Sequence, residues 1–343
     1  MKNRSENVEI LRFIAALLIM AHHMYHIRMQ NYPFYDCWVY VEFFLFITGY
    51  YTAKHYSSIN AVNKSKDAVV YTIKKFIPIF PYCFAVSLLA WLTNAAAGAL
   101  FHGWTWQNVV SNFLGDFSFD ILLISESYTH PLVAPLWYVS AMLLVFPLFA
   151  LLTQMKNRYT KAIIFSFVPL IYYGCVGVTF NREFPLDLTR VFCGMMLGAL
   201  IFEISDIFKE YIKSIPTIIL TIIEIICVAF PIISCFLNLA TYRLDLLWFF
   251  ISLLICLPGF SYTSRIHGKL LNYLGKLSMP MFIFHWYVGT LVGGLSERLV
   301  WSNLVSLIIY YCGTIAISIF AMAIVNRWKW YQKIMKAPLE LID

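Results

Sequence analysis

Apolar runs of 18 residues or more recur along the whole chain, and this pattern restricts the fold more than any motif does. In hydrocarbon every backbone N–H and C=O must be paired inside the protein, so runs of that length become membrane-crossing helices. With 61% hydrophobic and only 13% charged residues, the chain is too apolar for a soluble domain of 343 residues. The pattern predicts an all-α, polytopic integral membrane bundle of ten spans: 8–27, 38–56, 78–101, 135–155, 161–180, 188–204, 215–238, 243–260, 277–296 and 302–326. The first run carries no small-residue cleavage site after it and is expected to stay as a span. No internal repeat, low-complexity tract or linker interrupts the pattern, so residues 1–343 read as a single transmembrane domain.

Charge between the runs gives orientation. The N-terminus, 54–75, 156–161, 203–213, 261–276 and the C-terminal tail hold 19 of the 25 Lys and Arg residues. The opposite loops hold Arg28, Arg182, Arg190, Arg243 and Arg298. By the positive-inside rule both termini are cytoplasmic, which agrees with an even span count. The net charge of +7 is a topology signal next to the lipid bilayer, and no nucleic-acid partner is expected. Cys83, Cys175, Cys193, Cys227, Cys235, Cys256 and Cys312 fall within expected spans and read as small core residues. Cys37 lies near a loop without an obvious mate. No CxxC spacing suggests a metal, and none is expected.

The connection 102–134 is the one long loop. It lies on the outer side, lacks Lys and Arg, and sets Asp116, Asp120 and Glu126 beside Trp104, Trp106, Tyr128 and His130. Its middle, 109–125, is amphipathic enough to lie in the interface or dip into the bundle. Such aromatic and acidic groups suit a sugar; an interfacial aromatic belt is the plainer account.

Polar groups inside the first run are the sharpest functional signal. Ionisable side chains in a span are costly and usually paired, inward-facing and functional. Arg12 and His23 are eleven residues apart, within roughly 20° of three whole helical turns, so they share one face. Glu9 and His26 extend that stripe, whereas His22 points away. A stripe that merely joins helices is the alternative. Soluble-enzyme motifs are absent: no GxSxG elbow, Walker loop, HExxH or dinucleotide fingerprint occurs. Gly194 and Gly198 form a GxxxG of the kind used for close helix packing.

Arg12-x10-His23, opened by Glu9-Ile-Leu, resembles the hallmark of the bacterial membrane acyltransferase-3 family. Glu42-Phe-Phe-Leu-Phe-Ile-Thr48-Gly49-Tyr50 is similar to that family's second span. Lys74-Lys75 ahead of Pro81, Pro135-Leu-Trp137-Tyr138, and Leu277-Ser278 with Phe284-His285 are similar to later marks in the same order. Three positions depart from the pattern. Pro78 stands where many members carry arginine, and Thr48 replaces the commoner serine. Met142 takes the place of a glutamate found in one branch, which points to the shorter, capsule- and sugar-type branch.

The resemblance implies a membrane O-acetyltransferase, or a close relative using another acyl group. It would take acetyl-CoA from the cytoplasm and modify a surface, capsular or exported polysaccharide at the bacterial cytoplasmic membrane. His23 and Arg12 would be catalytic. His23 would take the proton from the sugar hydroxyl as it attacks the thioester; an acetyl-His intermediate is the other route. Arg12, Lys74 and Lys75 would bind the CoA phosphates. Glu42, Trp137, Tyr138 and His285 would contact substrate. Arg190 reads as an interfacial, snorkelling residue, and Glu224 has no assigned partner. A transporter or flippase for a lipid-linked sugar or exported small molecule is the rival class. Against it, the chain shows no paired broken helices or internal pseudo-symmetry.

Overall fold

The computed structural model describes residues 6–29, 32–59, 63–118, 132–176, 186–239, 241–328, 331 and 333. Among them every regular element is helical. The helices are α1 (Glu6–His22), α2 (Tyr40–Ser57), α3 (Lys64–Phe76), α4 (Phe80–Phe101), α5 (Trp106–Asn112) and α6 (Leu136–Thr153). They continue with α7 (Arg158–Ile171), α8 (Leu186–Ile212), α9 (Thr217–Phe236), α10 (Tyr242–Cys256), α11 (Lys269–Leu299) and α12 (Asn303–Arg327). Several starts are set by side-chain caps that satisfy free backbone N–H groups. Asn63 accepts from Lys66 N, Asn157 from Thr160 N and Ser302 from Val305 N.

Among the described residues six helical segments are long and apolar enough to cross a membrane: Glu6–Ile27, Phe80–Phe101, Leu136–Thr153, Asp187–Ile212, Thr217–Phe236 and Asn303–Arg327. The chain is an integral membrane protein. The other four expected spans coincide with α2, α7, α10 and α11, which are helical but shorter or more polar. α7 has 14 residues before a π turn at Tyr172–Val176, and α10 has 15 with Arg243 and Asp245 in its first turn. α2 carries Glu42 and α11 carries Lys269 and Lys276. α2 is largely enclosed by other helices and need not be apolar all round, whereas α7 buries only Phe165 and Pro169.

Burial separates the interior from the lipid-facing rim. Only 17% of the apolar window in α4, 33% in α9 and 22% in α12 is buried, against 61% in α6 and 56% in α8. The centre holds α1, α2, α8 and α11, brought together where glycines remove side chains. A Cβ on Gly198 would lie 1.9 Å from the Phe46 carbonyl oxygen, and one on Gly49 would lie 1.9 Å from that of Met195. The expected packing role of the Gly194/Gly198 pair is therefore met at the α2–α8 crossing. Gly275 does the same for α1 and α11, where a Cβ would meet Glu9 Oε2 at 1.9 Å.

Several boundaries differ from expectation. Residues 269–276, read as loop, begin α11, and all but the last residue of the stretch 203–213 belong to the end of α8. Neither change reverses an apolar periodicity; the helices continue beyond the apolar window into polar sequence. The expected amphipathic 109–125 contributes α5 and a π turn at Phe113–Phe117, whose Phe113 and Phe117 rings lie 5.1 and 5.8 Å from Trp91 of α4. Trp104 closes over Gly98 and Trp106 is exposed, whereas Asp120, Glu126, Tyr128 and His130 lie outside the described residues. Cys175 and Cys312 are exposed rather than core residues. Cys37 is buried and has Cys235 beside it, because the Phe34 amide bonds the Cys235 carbonyl at 3.2 Å.

Candidate functional site

The regular turns of α1 end at His22, and the chain tightens into a 3-10 turn, His23–Ile27, stopped by Arg28 with φ 64°. In a 3-10 turn residues i and i+3 eclipse, so His23 and His26 project together. Their rings are 6.0 Å apart, and both meet the Trp286 ring, at 5.2 and 4.0 Å. His285, fully buried on α11, places its ring 5.0 Å from that of His23. The contact depends on glycine: a Cβ at Gly293 would sit 2.0 Å from the His26 carbonyl oxygen, and one at Gly289 3.3 Å from His26 Cβ. His22 does not point away as helical spacing predicts: its ring lies 4.5 Å from that of His23, its Nδ1 is bonded with the Tyr35 carbonyl, and its own carbonyl accepts from Tyr32 Oη at 2.6 Å.

Three turns earlier, Arg12 is largely buried and donates to Glu9 Oε2 at 2.6 Å. The phenol of Tyr138, on α6, has Arg12, Glu42 and Thr48 as polar neighbours. Its ring is 5.4 Å from Phe282, which lies 5.9 Å from His285. Tyr138 and Phe282 thus form a chain of side chains between Arg12 and His285.

Glu42 has no exposed surface and lies at the centre of a second cluster. Its Oε1 accepts from Arg190 Nε at 2.5 Å and Tyr242 Oη at 2.8 Å, and its Oε2 from Tyr173 Oη at 2.8 Å. The Arg190 guanidinium is 5.3 Å from the Trp38 ring and 5.5 Å from that of Trp137. Trp38 in turn stacks on Tyr242 at 4.7 Å. Snorkelling is therefore the wrong account of Arg190: it is buried, and its charge is matched within the protein. Desolvating both charges is tolerable because each carboxylate oxygen has at least one donor and aromatic faces flank the cation.

The region gathers Arg12, His23, Glu42, Trp137, Tyr138 and His285 from four helices and one turn. Lys74 and Lys75 lie elsewhere, in the last turn of α3, with Lys75 Nζ 4.8 Å from the centre of the Tyr71 ring. Tyr71 also stacks on His55 at 4.3 Å. Glu224, unassigned from sequence, accepts from Thr263 Oγ1 at 2.8 Å, and Thr263 also accepts from Asn7 Nδ2 at 2.9 Å. This tie fastens the start of α1 to the 262–265 turn. Sequence reading missed Trp38, Tyr173, Tyr242 and Trp286, which are indistinguishable from belt aromatics by composition. It also missed Gly289-x3-Gly293, a small-residue spacing already visible in the chain.

A groove of about 860 Å³ runs between α4 and α11. Thr93 Oγ1 and Tyr287 Oη, 3.0 Å apart, lie along it, and Arg298 sits 3.7 Å over the Phe101 ring. Tyr287 directly follows the Trp286 that covers His23 and His26.

No curated protein and no solved structure matches the chain significantly. A family model does: the acyltransferase domain, Acyl_transf_3, matches residues 5–323, a stretch that contains every residue of the site described above. With nearly the whole length matched, the chain belongs to the Acyl_transf_3 family of acyltransferase domains.

Proposed function

We propose that this membrane acyltransferase moves an acetyl group from cytoplasmic acetyl-CoA to a hydroxyl of a surface, capsular or exported polysaccharide. The observation carrying the reading is the His23–His285 contact, rings 5.0 Å apart and enclosed by Trp286, at one end of an interior region whose other end holds Arg12. An imidazole in a dry bundle has few structural reasons to face another imidazole, whereas proton transfer from an alcohol needs such a group. His23 takes the hydroxyl proton as the oxygen attacks the thioester carbonyl. Arg12 helps to orient the donor, and Lys74 and Lys75 meet its phosphates at the cytoplasmic edge. Glu42, Trp137, Tyr138 and His285 border the substrate region, with Glu42 acting through the arginine and two tyrosines it holds. The groove between α4 and α11 offers a path to the carbohydrate acceptor from the outer side.

Ten spans with cytoplasmic termini, in the bacterial cytoplasmic membrane, fit this route. The charge distribution of the loops supports that topology. The test compares O-acetyl content of the surface glycan in cells carrying wild type, His23→Ala, Arg12→Ala and a deletion, at matched membrane levels. Loss in the deletion and in His23→Ala supports the reading. Unchanged acetylation in the deletion overturns it. Gradient-dependent export without any CoA requirement would put the chain's work in transport instead.

A further inference from the structure

His285 sits in a helix, fully buried, with its Nδ1 2.7 Å from the carbonyl oxygen of Phe282 one turn earlier. A carbonyl oxygen only accepts, so Nδ1 carries the hydrogen and Nε2 keeps a bare lone pair. That Nε2 is buried with no hydrogen-bond partner. A buried acceptor without a donor costs stability and is rare in folded proteins. The neighbouring ring is His23, at 5.0 Å and inclined by 30°. His26 Nε2 is also buried without a hydrogen-bond partner. His23 Nδ1 is 3.1 Å from the Tyr25 hydroxyl, which can donate to it or accept from it.

We infer that His285 is a positioning residue for acyl transfer, its Nε2 lone pair accepting the hydrogen of the imidazolium that His23 becomes. This rests on the acyl-transfer reading and adds a second residue to it. The acceptor oxygen attacks the thioester carbonyl while its proton passes to His23. The new C–O bond forms, the C–S bond breaks, and CoA leaves as a thiolate. The proton is held between His23 and His285 until the thiolate takes it, so the products are the O-acyl glycan and free CoA thiol. In an apolar bundle an imidazolium is stabilised by such an acceptor.

The test uses membranes carrying the full chain and the host cell's own surface glycan, with radiolabelled acetyl-CoA. His285→Asn retains a donor for the Phe282 carbonyl but has nothing at the Nε2 position. Its maximal rate of label incorporation should fall by about tenfold or more, with the KM for acetyl-CoA within about twofold of wild type. His285→Gln, whose amide oxygen reaches the Nε2 position, should recover part of the rate. A His285→Asn enzyme running at the wild-type rate, or one changed only in KM, overturns the inference while leaving the acyl-transfer reading intact. Disappearance of both variants from the membrane would make His285 a structural residue and also overturns it. If the wild type itself incorporates no label, the acetyl-transfer reading falls first.

Discussion

Glu42 and Arg190 are 148 residues apart in sequence and 2.5 Å apart in space. Neither residue names the other in the sequence, because a helix pattern reports which face is polar and not which distant helix supplies the partner. The Glu9–Arg12 pair, three residues apart, was legible from helical spacing alone. Spacing also pointed to His23, although its neighbours on α11 could not be read from it. The buried pair makes a definite prediction. Glu42→Gln leaves the Arg190 guanidinium in the interior with no countercharge, at a cost of ~3–5 kcal/mol. Thermal unfolding in detergent should show a clear loss, and Glu42→Gln with Arg190→Met should recover part of it. A Glu42→Gln protein as stable as wild type would show that the pair does not matter to the fold.

At the scale of elements, the apolar windows located the helices well, since length and hydropathy are local properties. The switch at His23 from α-helix to a 3-10 turn was not legible: over five residues the two periods place apolar side chains almost alike. It follows instead from α11, whose Gly289 and Gly293 let the turn approach. Gly293→Leu should displace the turn and abolish acyl transfer, because the new side chain would start 2.0 Å from the His26 carbonyl oxygen. Gly294→Ala, where nothing lies within 4 Å, should leave both transfer and melting temperature near wild type. Equal activity in the two variants would contradict this account of how α11 positions the histidines. On α3, Lys74→Gln with Lys75→Gln should raise the KM for acetyl-CoA severalfold with little change in maximal rate, as measured by label incorporation. An unchanged KM would remove these lysines from donor binding.

For the whole molecule, hydropathy set the class, and the loop charges predict an orientation. The six strongly apolar segments are the part of that architecture that composition alone defines. The more polar α2, α7, α10 and α11 bear or border much of the site, which is why a simple apolarity criterion passes over them. Orientation is testable without reference to activity. In a chain whose eight native cysteines are replaced by serine, single cysteines introduced at Ser57 and Asn157 should react only with membrane-permeant reagents in intact cells, and one at Gly103 should react with impermeant ones. The opposite pattern would reverse the route drawn from cytoplasmic donor to external acceptor. The most direct test of the central claim is the acyl-transfer rate of His23→Ala from acetyl-CoA, with protein level and melting temperature matched to wild type. A loss of transfer to the level of the deletion is the predicted result, and transfer at the wild-type rate would contradict the account.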